Sequence, residues 1–200
     1  MTAASGLDAL TQLLEAYLST KASPFTDALA LSGMEYFRDA FLPAVREGDH
    51  NVAARSGMAY AALISGLVLA NAGLGVVHGF ASSVGGYFDI PHGVICGTLL
   101  GESMDVNLRR LRETGNEAAL KKFAAAGKIL IGSEEADTED PCDRLVERLK
   151  VWVEETGVPR LGKYGVKPED ADRIVPITDN KNNPVVLTEP EIREILLRRI

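Results

Sequence analysis

The stretch from Ala70 to Gly93, ANAGLGVVHGFASSVGGYFDIPHG, predicts the end of one helix, a complete second helix and the start of a third. Gly73 interrupts the helical pattern, and Pro91 is typical of a helix start. The stretch also contains His78 and His92, two of the three histidines in the chain, with a single charged residue between them. Imidazole is a common metal ligand and glycine permits close backbone approach, so this stretch is the first candidate for a site.

Apolar residues at helical spacing predict helices along nearly the whole chain. Ser23 followed by Pro24 is a strong helix start, and Thr188 with Glu191 has the spacing of a capping box. The predicted helices cover residues 5–19, 23–46, 51–71, 74–86, 91–112, 116–130, 139–156 and 188–200, with a short turn at 168–172. The predicted fold class is therefore all-α, with one multi-helix domain over residues 1–200.

Three segments between or within these helices need separate interpretation. Residues 131–140, IGSEEADTED, predict an acidic solvated linker, and residues 174–187, which include NKNNP, predict an irregular turn. The segment from Met58 to Val77 has no charge over 20 residues, which is long enough to cross a bilayer. Its many small residues and the enclosed Asn71 favour a central helix packed on all sides by other helices.

Composition excludes several classes of partner. The net charge of −7 over 200 residues argues against a nucleic-acid surface or an anionic membrane surface. The two cysteines, Cys96 and Cys142, lack metal-finger spacing, which predicts free thiols in a reducing, cytoplasmic compartment. Cys96 lies in an apolar helix and is predicted to be a buried core thiol.

Four side chains form a possible metal site. Asp8 and Gln12 lie four residues apart on one face of the first helix, and His78 with His92 would add two imidazoles. Such a set suits Fe(II) or Zn(II), which would polarise a substrate oxygen. Alternatively, Asp8 favours a helix N-terminus and the histidines are satisfied core groups. Glu15, seven residues after Asp8, is either a support for the site or a structural carboxylate, and the residues alone leave these alternatives open.

Three motifs in order, GLDALTQLLEAY at 6–17, ANAGLGVVHG at 70–79 and PHG at 91–93, resemble the C-terminal metal-binding domain of iron-containing (group III) alcohol dehydrogenases. The similarity continues through LPAVREGD, GVPRLGKYGV and NPVVLTEPEIREIL, and so covers nearly the whole chain. The resemblance implies the dehydroquinate synthase-like C-terminal helical fold. It also implies an NAD(P)-dependent exchange of alcohols with aldehydes or ketones, with a metal holding the substrate oxygen.

The resemblance assigns ligand roles at three positions and fails at two. Asp8, His78 and His92 match the family's ligand positions. Gln12 stands where most members have a ligand histidine, and Ser82 stands where members often have a histidine four residues after His78. An amide oxygen is a weaker donor than an imidazole, so we expect a weaker iron site or a shift toward zinc.

The resemblance also implies that these 200 residues lack the N-terminal nucleotide-binding domain, which would bring NAD(P) to a small-molecule alcohol or aldehyde. We expect the isolated chain to be inactive and to form a homo-oligomer. Two other interpretations stay open. One is a non-catalytic helical interaction module that has lost activity. The other is a lyase similar to dehydroquinate synthase, which is less favoured because the motif sequences follow those of the alcohol dehydrogenases.

Overall fold

The computed structural model describes residues 1–132 and 140–200, and within them all regular secondary structure is helical. The prediction of an all-α domain is therefore confirmed for the described part of the chain, whereas most of the predicted acidic linker lies outside it. The helices are α1 (Thr2–Leu18), α2 (Pro24–Glu47), α3 (Val52–Ala72), α4 (Val76–Gly85), α5 (His92–Thr114), α6 (Glu117–Ile131), α7 (Pro141–Glu155), α8 (Ala171–Ile174) and α9 (Glu189–Leu197).

Local capping explains why the helices begin and end close to their predicted bounds. The Ser23 hydroxyl accepts a hydrogen bond from the Thr26 backbone N–H, and Pro24 occupies the first turn of α2. At the start of α9, the Glu191 carboxylate accepts a hydrogen bond from the Thr188 backbone N–H at 2.7 Å. Gly115 ends α5 in the left-handed conformation, with φ of 65°.

Helix α1 lies at the centre of the core. It packs against α2, α3, α5 and α6, and four of its leucines are completely buried: Leu7, Leu10, Leu13 and Leu14. Removal of such apolar surface from water is the main force that assembles helices of this kind. Among its polar side chains, Asp8 and Glu15 face His78 of α4, whereas Gln12 faces Ser65 of α3.

Glycines let backbone segments approach closely on both sides of the histidine pair. A Cβ on Gly93, the residue after His92, would lie 2.6 Å from the Ala4 carbonyl oxygen of α1. A Cβ on Gly79, the residue after His78, would lie 2.0 Å from the Asp179 carbonyl oxygen. Any larger residue at either position would push the neighbouring backbone away and displace the adjacent histidine.

We expect Gly79→Ala to destabilise the chain by about 2–3 kcal/mol, because the new methyl group would clash with a backbone carbonyl oxygen. Unlike a flexible side chain, this oxygen cannot rotate out of the way. The matched control is Gly66→Ala in α3, where a Cβ meets nothing within 4 Å. That change should stabilise the helix by about 0.5–1 kcal/mol. Urea unfolding of both variants measures the difference, and equal effects would contradict this packing.

The predicted irregular turn at 174–187 contains a helical segment and many hydrogen bonds. The chain first forms a short 3-10 turn at Val175–Ile177. Asn182 then donates its backbone N–H to the Leu74 carbonyl at 2.9 Å and accepts from the Thr20 N–H at 3.0 Å. The Asn183 and Asn107 side-chain amides bond each other inside the fold. This segment therefore holds the connection before α4 in place.

The prediction that the apolar segment is packed on all sides was wrong. Among the described residues, α3 is the one helix long and apolar enough to cross a membrane by length and composition alone. It packs against α1 and α2, but Leu63 and Leu67 on its other face are 64% and 45% exposed. A helix that is apolar all round can thus be covered on one face only, because burial depends on the neighbours that the fold supplies.

Candidate metal centre

Three helices bring Asp8, His78, His92 and Cys96 together. Each offers one potential ligand atom, and all four atoms lie within 4.8 Å of one another. Asp8 Oδ1 is 3.4 Å from His78 Nε2 and 3.6 Å from His92 Nε2. Cys96 Sγ is 3.8 Å from His78 Nε2 and 3.5 Å from His92 Nε2.

The position of each side chain follows from the helices. Asp8 lies beyond the first turn of α1, which begins at Thr2, so the alternative of a helix N-terminal charge does not apply. His78 is in the first turn of α4, and His92 is the first residue of α5. Cys96 follows His92 by four residues and therefore lies on the same face of α5.

Glu15 contacts the cluster through His78. Its carboxylate accepts a hydrogen bond from His78 Nδ1 at 2.7 Å and a second from the Val77 backbone N–H at 2.6 Å. With Nδ1 donating to Glu15, the other ring nitrogen, Nε2, faces Asp8 with its lone pair available when the ring is neutral. Of the two interpretations of Glu15, the geometry favours a residue that orients a ligand over a purely structural carboxylate, since such pairing orients histidine ligands.

The charged groups around the buried imidazole of His78 shift one another's pKa values. Burial lowers the pKa of His78, but the carboxylates of Asp8 and Glu15 outweigh it and raise that pKa to about 9. Burial raises the pKa of Asp8, but His78 and His92 outweigh it and leave the pKa below its ordinary value. Burial and the neighbouring carboxylates raise the pKa of the Cys96 thiol.

The raised pKa of His78 predicts how the metal-free chain responds to pH. The contribution of His78 to stability is fully present below pH 6.5, its unfolded pKa, and is lost as the pH rises to about 9. The loss should be about 3 kcal/mol, at roughly 1.4 kcal/mol per pKa unit. Urea unfolding of chain treated with chelator measures it across that range.

The His78→Gln variant should lack this decline, whereas His50→Gln should keep it because His50 is exposed and far along the chain from the cluster. An identical pH dependence in the wild type and in His78→Gln would contradict the assignment.

The remaining residues singled out in the sequence lie around the cluster. The Gln12 amide oxygen accepts a hydrogen bond from the Ser65 hydroxyl of α3 at 2.7 Å, and its role as a ligand stays a prediction. Ser82 is exposed on α4 and donates its hydroxyl to the His78 carbonyl at 3.0 Å. Cys96 is buried, as predicted, but it also faces both imidazoles. Its spacing of four residues from His92 was the available signal for that contact.

The donors present fit a divalent transition metal. Asp8 Oδ1 is buried and accepts no well-formed hydrogen bond, and a metal ion bound between it and the imidazoles would satisfy this oxygen. One carboxylate and two imidazoles are ligands that Zn(II) and Fe(II) both accept. The His92 side chain is 55% exposed and that of His78 is 5% exposed, so the cluster opens to solvent past His92.

A cavity of about 390 Å³ adjoins the cluster. It is lined by residues at the N-terminal ends of α1 and α5, including Ser5, Asp8, Pro91 and Val94. Its volume lies in the range of small-molecule sites. A larger cavity, of about 580 Å³, lies between α2 and α3, and no residue of the cluster lines it. Of these two cavities, the smaller one therefore adjoins the candidate metal ligands.

Known proteins are similar to this chain in both sequence and fold. A family model for the C-terminal part of the Fe-containing alcohol dehydrogenase family matches residues 2–200. Alcohol dehydrogenase 4 of Saccharomyces cerevisiae is 33% identical over 98% of this chain and 50% of its own length. The 1,3-propanediol dehydrogenase of Citrobacter freundii is 34% identical, also over 98% of this chain and 50% of its own length.

The solved structure of an alcohol dehydrogenase from Oenococcus oeni superposes with a TM-score of 0.87 at 31% identity, covering 100% of this chain and 51% of that one. The chain thus spans about half the length of the relatives it matches. The resemblance in the sequence motifs and the helical fold is confirmed, and the chain belongs to the Fe-containing alcohol dehydrogenase family, of which it represents the C-terminal part.

Proposed function

We propose that this chain is the metal- and substrate-binding half of an NAD(P)-dependent alcohol dehydrogenase, which interconverts alcohols with aldehydes or ketones. The observation that carries the proposal is the buried Asp8 Oδ1, which accepts no well-formed hydrogen bond and faces the imidazoles of His78 and His92 beside a cavity. Family membership supports the reaction class, because the curated relatives are named as alcohol and diol dehydrogenases.

The nucleotide belongs to another domain in this proposal. Relatives are about twice as long as the matched region, and these residues contain no glycine-rich dinucleotide fingerprint after a strand. Hydride transfer requires the nicotinamide to be held against the substrate carbon. We therefore assign NAD(P) to a nucleotide-binding domain that acts with this chain in the cytoplasm, within a homo-oligomer.

A metal held by Asp8, His78 and His92 would supply Lewis-acid polarisation of the substrate oxygen. The residues of the chain then have distinct tasks. Glu15 keeps His78 in one orientation through its 2.7 Å hydrogen bond. The exposed edge of His92 marks the side from which a small alcohol enters.

Proton transfer needs a group other than Ser82. Its hydroxyl is bonded to the His78 carbonyl, and an aliphatic hydroxyl does not act as a base near neutral pH. In this account, the alcohol proton passes to solvent through the open side of the site rather than to a side chain of α4.

The isolated chain tests this division of labour. Purified chain loaded with Fe(II) or Zn(II) should bind about one metal ion yet show no reduction of NAD+ or NADP+ with ethanol or 1,3-propanediol. Fluorescence of the reduced nucleotide measures turnover. Metal-dependent turnover by the chain alone would contradict the assignment of the nucleotide to another domain.

The second candidate function is a non-catalytic helical module. It is favoured by the exposed apolar face of α3, and by the presence of Gln12 and Ser82 at positions where family members often have histidine. Metal analysis separates the two functions. A chain that binds no metal, and whose stability is unchanged in Asp8→Ala and His92→Ala, would support the module.

A further inference from the structure

We propose that Cys96 is a fourth protein ligand of the metal, and that the resulting set of one carboxylate, two imidazoles and one thiolate selects zinc over iron. This inference rests on the proposed function, because it requires a metal between Asp8, His78 and His92. It goes beyond that function by naming a ligand at a position that the sequence analysis assigned to the core.

The distances within the cluster match the edges of a zinc tetrahedron. Zinc bonds of about 2.0–2.1 Å to nitrogen or oxygen and about 2.3 Å to sulfur require edges of about 3.3–3.4 Å between N and O, and about 3.6 Å between N and S. The Asp8–imidazole distances are 3.4 and 3.6 Å, and the Cys96–imidazole distances are 3.5 and 3.8 Å. Four of the six edges therefore have the spacing of a four-coordinate site, and the other two are no longer than 4.8 Å.

The surroundings of the sulfur leave few other roles for it. Cys96 is completely buried, so solvent does not compete for its Sγ atom. Both imidazole Nε2 atoms lie within 3.8 Å of this Sγ atom, whereas the Sγ atom of Cys142 has a backbone carbonyl as its partner. Helix α5 presents His92 and Cys96 on one face, one turn apart, as metal-binding helices often do.

Gln12 has a different partner in the fold. Its amide oxygen accepts the Ser65 hydroxyl at 2.7 Å and would have to lose that bond to become a ligand. Cys96 requires no such exchange. The thiolate therefore replaces the donor that is missing from α1, and it approaches from α5 instead.

A thiolate changes which metal the site prefers. Sulfur is a soft ligand that suits zinc, whereas carboxylate and amide oxygens suit harder ions. Four protein ligands also form a closed set, whereas catalytic zinc sites keep one position open for substrate or water. Cys96 would therefore compete with the substrate oxygen for its position, giving a site that retains zinc more tightly than three ligands would.

Cobalt(II) substitution tests the proposal without any assay of turnover. Co(II) reports thiolate ligation through a sulfur-to-metal charge-transfer band in the near ultraviolet, and the chain has only two cysteines, Cys96 and Cys142. Cys142 on α7 is the matched control, since its Sγ lies 3.8 Å from the Leu120 carbonyl. We expect the band in the wild type and in Cys142→Ser, and its loss in Cys96→Ser with at least a tenfold weaker affinity for zinc.

The outcomes are distinguishable. If Co(II) binds to one equivalent without the band, Cys96 is not a ligand, and the three-ligand proposal for the function survives. If no Co(II) binds, both proposals fail. If the Cys96→Ser chain does not fold, a band that persists in Cys142→Ser still assigns the sulfur to Cys96, and its absence there overturns the assignment.

Discussion

Replacing Glu15 with alanine is expected to destabilise the chain by about 3–5 kcal/mol, the cost of leaving a buried charged partner alone. Glu15 is 2% exposed and accepts hydrogen bonds from both His78 Nδ1 and the Val77 N–H, so the change orphans two buried donors. The affinity for zinc should also fall by about 10- to 100-fold, because His78 loses the group that orients it. Urea unfolding and calorimetric titration with zinc measure the two effects.

Two control variants separate charge from position. Glu15→Gln keeps an oxygen that can accept the Val77 N–H and should be destabilised less than Glu15→Ala. Glu35→Ala removes an exposed carboxylate from α2 and should change stability by no more than about 0.5 kcal/mol. A Glu15→Ala variant as stable as Glu35→Ala would show that the Glu15–His78 pair contributes little.

Asp8→Asn is expected to reduce bound metal from about one ion per chain to nearly none, with at least a 100-fold loss of affinity. The substitution keeps the shape of the side chain but replaces a charged oxygen donor with a neutral amide. Metal analysis after gel filtration measures occupancy, and competition with a chelator measures affinity.

The matched control for this change is Asp39→Asn. Asp39 is an exposed carboxylate that pairs with Arg38 on α2, and its loss should leave metal content unchanged. Equal metal content in Asp8→Asn and in the wild type would place the metal elsewhere and remove the basis for the proposed function.

Most of the fold could be predicted because residues close to each helix end determine where that helix begins or ends. Ser23 with Pro24, Gly115 and Thr188 with Glu191 each act within one helical turn, so the sequence indicates these starts and ends directly. The burial of α3 could not be predicted in the same way. Which of its faces is covered depends on the packing of α1 and α2, which are distant along the chain.

The residues of the candidate site also fall into those that local sequence indicates and those that depend on packing between distant helices. Asp8, His78 and His92 were found from residue type and motif, whereas the roles of Glu15 and Cys96 depend on how α1, α4 and α5 pack. The contact between Glu15 and His78 joins residues that are 63 positions apart, and no local pattern specifies it. The spacing between His92 and Cys96 was visible, but a cysteine in an apolar helix is usually a core residue.

Anomalous diffraction at the zinc absorption edge, from a crystal of the zinc-loaded chain, tests the central claim most directly. We predict a single strong peak within bonding distance of Asp8 Oδ1, His78 Nε2 and His92 Nε2. A strongest peak at any other position, or the absence of a peak in zinc-loaded crystals, would contradict the account.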